Sequence, residues 1–303
     1  MARRESDRGL RVEHKRRKHR ELLVESPKLV DFGLIDAFRR MVRGRGLEFD
    51  GFKEFVPGDD AKFIDWKATL RSDKILARVF KQEKDIKLML MIDGGSTMIF
   101  TSHEKLKLEY ALEVAASLAF SASLAGESVG GMVFTEKVQY FSAPAPGRIQ
   151  YQKVLKNLLD PYIYGGGSDI KKALKYVTEH LQPNSVIMIL SDFLSLPEYW
   201  DEALGMAAEK MDVLGLMIRD PRDVEMPPKR IGDVVIEDPN TGETLIFRPE
   251  EIGGEYARVA QQQYEEISKI FRKRMADLIE LRTNEPYVGK LINFFTSRIS
   301  KWK

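Results

Sequence analysis

Apolar residues in this chain gather into short runs, each stopped by a carboxylate, a glycine or a proline. The clearest is Ile86-Lys87-Leu88-Met89-Leu90-Met91-Ile92, which ends at Asp93-Gly94-Gly95-Ser96-Thr97-Met98. A run this short reads as a strand buried on both faces, as in a parallel sheet, rather than as a buried helix. Residues 106–124 then read as a helix, so the unit is strand, loop, helix. Residues 185–190 repeat the form and end at Ser191-Asp192, and residues 213–218 end at Arg219-Asp220-Pro221. Residues 128–134 predict a further strand with 137–141 as its hairpin partner, before a turn at Pro144-Ala145-Pro146-Gly147. Helices are predicted over 149–159, from Ile170 with Ser168 or Asp169 as N-cap, and over 197–210. Residues 233–236 and 244–247 flank Asp238-Pro239-Asn240-Thr241-Gly242, a hairpin signal. A polar-faced helix over 256–274, a strand over 277–281 and an amphipathic helix over 288–302 complete the pattern. Strands alternating with helices predict an α/β fold around a doubly wound, mostly parallel sheet.

The first part of the chain has a different rhythm. Residues 21–43 predict a helix, with a break near Pro27 and a stop at Gly44 and Gly46. Residues 47–56 alternate as a strand does and turn at Pro57-Gly58. Asp59 and Asp60 are placed to cap a short helical turn leading past Asp65 to Trp66, and residues 76–80 read as a second strand. Glu54, Asp59, Asp60, Asp65, Lys67, Arg71 and Arg78 crowd this segment. A buried or half-buried ion network that fixes the loop accounts for them, since no nucleophile–base pair is evident. The chain therefore divides into a basic, disordered tail (1–20), a helix with a small β-containing segment (21–84), and the main α/β domain (85–303) with a hairpin insertion at 231–248.

Composition narrows the chemistry. The chain has 303 residues, no cysteine and four histidines, none at His-x-x-x-His spacing. Disulfides, thiolate catalysis and Cys-based zinc sites are excluded, and a His-rich metal site is not expected. No run approaches the roughly 18–20 apolar residues of a membrane span. The polar N-terminus lacks the apolar core of a signal peptide, so the expected location is cytoplasmic. The tail carries Arg3, Arg4, Arg8, Arg11, Lys15, Arg16, Arg17, Lys18 and Arg20. A nucleic-acid arm is one reading, but no aromatic is present for base stacking, and a solvated tail is the expectation.

Candidate chemistry lies at the strand ends. In open α/β sheets, ligands sit outside the carboxyl ends of strands, where Asp93 falls. Carboxylate and hydroxyl oxygens without His or Cys suit a hard cation such as Mg²⁺; the alternative is that these aspartates only cap helices and hold turns. Three loops follow in order: Asp93 to Thr97, Gly165 to Asp169, and Ser191-Asp192. Together they resemble the von Willebrand factor A domain and its metal-ion-dependent adhesion site, whose pattern is Asp-x-Ser-x-Ser, then Thr, then Asp. The matching positions are Asp93, Gly95, Thr97, Ser168 and Asp192. Gly95 lacks the expected hydroxyl, and a water can take that place. The resemblance implies Mg²⁺ (or Mn²⁺) at Asp93, Thr97, Ser168 and Asp192, with one coordination position left for a partner's Asp or Glu.

A second resemblance rests on Gly-Leu-Glu-Phe, Pro-Gly-Asp-Asp and Ile-Asp-Trp-Lys-Ala, followed by a strand and the Asp93 loop. This order is similar to the DUF 58 family, from about Gly44 to near the chain end, with Pro57, Gly58, Asp59, Asp60, Asp65 and Trp66 as motif positions of structural kind. Many members carry membrane helices before the motif; this chain carries none and resembles a short soluble form. The resemblance implies a non-enzymatic protein-interaction module that acts beside a MoxR-type AAA+ ATPase in assembly or remodelling of protein complexes. The alternatives are a phosphate-handling enzyme, using Gly165–Ser168 at a helix N-terminus, and nucleic-acid binding through the tail. Neither a Gly-x-x-x-x-Gly-Lys-Ser/Thr nor a Gly-x-Gly-x-x-Gly loop supports the first.

Overall fold

The computed structural model describes residues 31–43, 47–82, 86–227, 232–237 and 243–301. In chain order the elements are α1 (Phe32–Arg43), β1 (Leu47–Glu54), the one-turn α2 (Trp66–Thr69), β2 (Leu76–Gln82), β3 (Lys87–Asp93), α3 (Lys107–Leu124), β4 (Ser128–Phe134), β5 (Val138–Ala145), α4 (Arg148–Leu158), α5 (Ile170–His180), β6 (Val186–Ser191), α6 (Trp200–Lys210), β7 (Asp212–Arg219), β8 (Val234–Glu237), β9 (Thr244–Phe247), α7 (Pro249–Lys273), β10 (Asp277–Arg282) and α8 (Tyr287–Lys301). The tail, residues 21–30 and the hairpin tip 238–242 lie outside the described residues.

Six strands form the main sheet in the order β10-β7-β6-β3-β4-β5. All neighbours run parallel except β5, which pairs antiparallel with β4 at one edge. The sheet winds outward in both directions from β3 and β6, the doubly wound, mostly parallel arrangement expected from the sequence. Leu90 pairs with Met188 and Ile92 with Leu190, so the carboxyl ends of β3 and β6 finish side by side. Both faces are covered, as a parallel sheet requires. Leu88, Leu90 and Ile92 pack with α1, α3, α4 and α8, while Met89 and Met91 pack with α5, α6 and α7.

Helix α1 belongs to this core: Phe38 is fully buried and meets Phe295 of α8 edge-on, ring centroids 6.1 Å apart. At the amino ends of β7 and β10, Arg298 of α8 reaches both Asp212 (2.8 Å) and Asp277 (2.7 Å), an ion network that fixes α8 to the sheet.

Several boundaries depart from the sequence reading. Helix α7 begins at Pro249 rather than 256. Pro249 in the first turn is preset for a helix, and the helix runs on through Gly253 and Gly254. Strand β5 continues through Pro144, where a turn was expected; an edge strand tolerates the missing N–H. Helix α6 starts at Trp200 rather than 197, because Tyr199 takes a left-handed conformation (φ +59°).

In the N-terminal segment, β1 and β2 form an antiparallel pair, with Gly58 turning at φ +114°. Asp60 caps the turn Ala61–Phe63 by accepting from Lys62 N, and Asp65 caps α2 by accepting from Lys67 N and Ala68 N. The expected ion network is peripheral. Lys53–Asp59 (2.6 Å), Lys74–Glu54 (2.7 Å) and Arg78–Asp65 (3.0 Å) lie at the surface, with only Asp59 and Asp65 partly covered, and Trp66 is 64% exposed. Exposed pairs of this kind contribute little, so the caps and the strand pairing hold the segment.

Because Phe38 fills a closed space between α1 and α8, Phe38→Ala is expected to lower stability by roughly 3 kcal/mol in urea unfolding. A loss below about 1 kcal/mol would place α1 outside the cooperative core.

Candidate functional site

Asp93 ends β3, and Asp192 follows the last residue of β6. Neighbouring strands at the point where the winding reverses thus bring the two carboxylates to one rim. Asp93 is buried and all its contacts are short. Its Oδ1 accepts from Gly95 N (2.9 Å) and Ser168 Oγ (2.8 Å), and its Oδ2 accepts from Ser191 Oγ (2.6 Å). Glycines let the loops approach: Gly165 (φ +112°) and Gly166 (φ +83°) fold the second loop over the first. Gly165 N donates to Gly94 O (2.7 Å), Gly166 N to Ser96 Oγ (2.9 Å), and Ser96 N to Gly166 O (2.8 Å). Two amides of the glycine loop are therefore engaged with the first loop rather than turned to an anion. Asp169 caps α5 by accepting from Lys172 N. After Asp192, Phe193 adopts φ +52° while buried against Phe271, a strained turn of the kind that concentrates at functional sites.

Burial, then repulsion from Asp192, pushes the Asp93 carboxyl up to about 6. Asp192 is 1% exposed, and its Oδ2 accepts from Lys107 Nζ at 2.7 Å while Oδ1 accepts from Leu194 N at 3.1 Å. Lys107, the first residue of α3, is itself 1% exposed and also reaches Asp223 Oδ2 at 3.0 Å. Burial opposes its charge, but the two carboxylates outweigh burial and hold the ammonium above the ordinary lysine value. Asp223 Oδ2 in turn accepts from Asp220 N (2.9 Å), and burial raises the Asp223 carboxyl. Asp220, wholly buried at the end of β7, accepts from Ser102 N and Ser102 Oγ, and so ties the stretch before α3 to the β7 end. Buried Arg219 donates to Asp223 O and Ala260 O.

The structure brings Asp93, Ser168 and Asp192 to this one rim. Thr97 lies in the short turn Ser96–Ile99, and its buried Oγ1 has no hydrogen-bond partner. A Cβ at Gly95 would stand 3.0 Å from Ser168 Cβ and 3.2 Å from Asp93 Oδ1, so a serine there would need its neighbours to give way. The motif aspartates 59, 60 and 65 make their described bonds within the N-terminal segment. Sequence reasoning missed Ser191, Lys107, Asp220 and Asp223. A signal for Lys107 was present: positions 107, 110, 111 and 114 form one helical stripe, and the other three are Tyr, Ala and Val.

The residues fit a hard cation in two respects. Thr97 offers an oxygen with no other partner, and the buried Asp93 carboxylate accepts from the neutral donors Gly95, Ser168 and Ser191 while Asp192 repels it. Among the described residues no group of three or more His, Asp or Glu is arranged to hold a metal, so any such site depends on hydroxyls and water. Beside the rim a cavity of about 430 Å³ is lined by Thr97, Phe100, Lys107, Leu194, Phe247 and Tyr256 among others, with α7 and β9 forming its far wall.

The raised Asp93 carboxyl has a defined consequence for stability. The folded state holds this proton more tightly than the unfolded chain, so this group adds stability as pH falls from about 6 toward 4, and that contribution is lost as pH rises through 6. Asp93→Asn, measured in chelator, is expected to be more stable than wild type at pH 8 by on the order of 2 kcal/mol, the gap closing near pH 4. A variant no more stable at pH 8 would show that the repulsion is relieved in another way.

The uncharacterized protein Rv1480 of Mycobacterium tuberculosis is 25% identical over 261 residues, covering 85% of this chain and 81% of that one. Among solved structures, the conserved hypothetical protein BatB from Bacteroides thetaiotaomicron is similar with a TM-score of 0.44 and 18% identity, over 71% of this chain and 99% of that one. A von Willebrand factor type A protein from Catenulispora acidiphila is similar with a TM-score of 0.38 and 13% identity, over 75% of this chain and 44% of that one. Among the described residues no helix is long and apolar enough to cross a membrane. The family model for "Protein of unknown function DUF58" matches residues 51–266, and the chain belongs to that family.

Proposed function

We propose that the chain is a non-catalytic protein-interaction module whose docking face is the rim at the carboxyl ends of β3 and β6. The observation that carries this reading is the meeting of three loops there, with a buried Thr97 hydroxyl left without a partner beside an open cavity. On this reading Mg²⁺ or Mn²⁺ is held by Asp93, Thr97, Ser168 and Asp192, with water where Gly95 supplies no oxygen. A carboxylate from a partner protein takes the remaining position. The Ser168 and Ser191 hydroxyls both donate to Asp93 and hold its carboxylate at the rim. The DUF58 membership and the sequence resemblance together favour a MoxR-type AAA+ ATPase as the partner, in assembly or remodelling of protein complexes.

The test is capture of a MoxR-type AAA+ ATPase from the same organism, in Mn²⁺ and in chelator. Wild type is expected to bind in Mn²⁺ and to lose about tenfold or more in affinity in chelator; Asp93→Ala is expected to lose as much while its circular dichroism is unchanged. Equal binding by wild type in both conditions, and by the variant, would contradict the reading. An unfolded Asp93→Ala would make that carboxylate structural.

A further inference from the structure

The rim already contains a cation. Lys107, on the helix stripe it shares with Tyr110, Ala111 and Val114, carries its ammonium to Asp192 at 2.7 Å, and it does so at 1% exposure. Both Asp192 oxygens are then committed, one to the ammonium and one to Leu194 N. A divalent ion and an ammonium cannot both lie against the same buried carboxylate without strong repulsion. The same ammonium also touches Asp223 at 3.0 Å, so a second counter-ion stands within reach of a flexible lysine stem.

We infer that Lys107 is the resident counter-ion of this rim, and that a divalent cation binds only by displacing its ammonium from Asp192 onto Asp223. The inference rests on the cation reading proposed above and adds to it a built-in competitor. Intrinsic metal affinity is reduced by the cost of that displacement. A partner carboxylate arriving with the metal adds negative charge at the rim, so the partner strengthens a metal binding that the chain alone supports weakly.

The experiment is titration of Mn²⁺ alone into wild type, Lys107→Met and Asp223→Asn, reading free Mn²⁺ by electron paramagnetic resonance. Lys107→Met is expected to bind about tenfold more tightly than wild type, because nothing competes for Asp192. Asp223→Asn is expected to bind several-fold more weakly, because the ammonium has lost its alternative. A folded Lys107→Met that binds no more tightly than wild type overturns the inference while leaving the metal reading intact. Should Lys107→Met fail to fold, Asp223→Asn decides: weaker binding supports the competitor role, and equal or tighter binding overturns it. No Mn²⁺ bound by any of the three proteins overturns both the inference and the metal reading.

Discussion

Two carboxylates buried side by side cannot both stay charged without positive charge beside them, and the rim of this sheet is arranged around that constraint. The constraint follows from topology. Parallel strands β3 and β6 flank the point where the winding reverses, so whatever ends them is brought together. Here both endings are aspartates. Hydrogen bonds from Gly95, Ser168 and Ser191 serve Asp93, while Lys107 serves Asp192. Each of those donors comes from a different loop or helix start. Balancing the charge therefore also fixes where α3, the glycine loop and the β6 end stand relative to one another.

The two ends of the sheet treat buried charge differently. At the amino end, Arg298 lies between Asp212 and Asp277, and α8 is held by the result. At the carboxyl end, Asp93, Asp192, Asp220 and Asp223 gather around Lys107 and Arg219, and the cations reach Asp192 and Asp223 but not Asp93. One carboxyl, Asp93, is left with a raised affinity for a proton. A buried ion pair contributes little net stability, yet removing one partner is costly because the other is left uncompensated. The amino end reads as a structural fastening. The carboxyl end, with its unpartnered Thr97 and the cavity beside it, reads as a place prepared for something to bind.

Much of the fold was legible because a parallel sheet covered on both faces must be written as continuous apolar runs. Leu88 to Ile92, residues 186–190 and residues 213–218 could be nothing else, and the aspartates that end them mark the rim. Boundaries were less legible where a local signal competes with packing, as at Gly253-Gly254 in α7 and Pro144 in β5. Asp93, Ser168 and Asp192, which the structure brings to one rim, were named from loop order and the resemblance it carries. Lys107, Asp220 and Asp223 were not, because their partners lie about 85 to 118 residues away in sequence and a lysine opening a helix ordinarily points to water. Its place on the apolar stripe of α3 was the signal the sequence held for it.

The most direct measurement is a pair of crystal structures, one in chelator and one soaked in Mn²⁺ with anomalous data. The account predicts Lys107 Nζ about 2.7 Å from Asp192 in the first. In the second it predicts an anomalous peak among Asp93, Thr97, Ser168 and Asp192, with the ammonium moved to Asp223. A Mn²⁺ peak at this rim with Lys107 still on Asp192, or no peak at the rim in a well-soaked crystal, would contradict it.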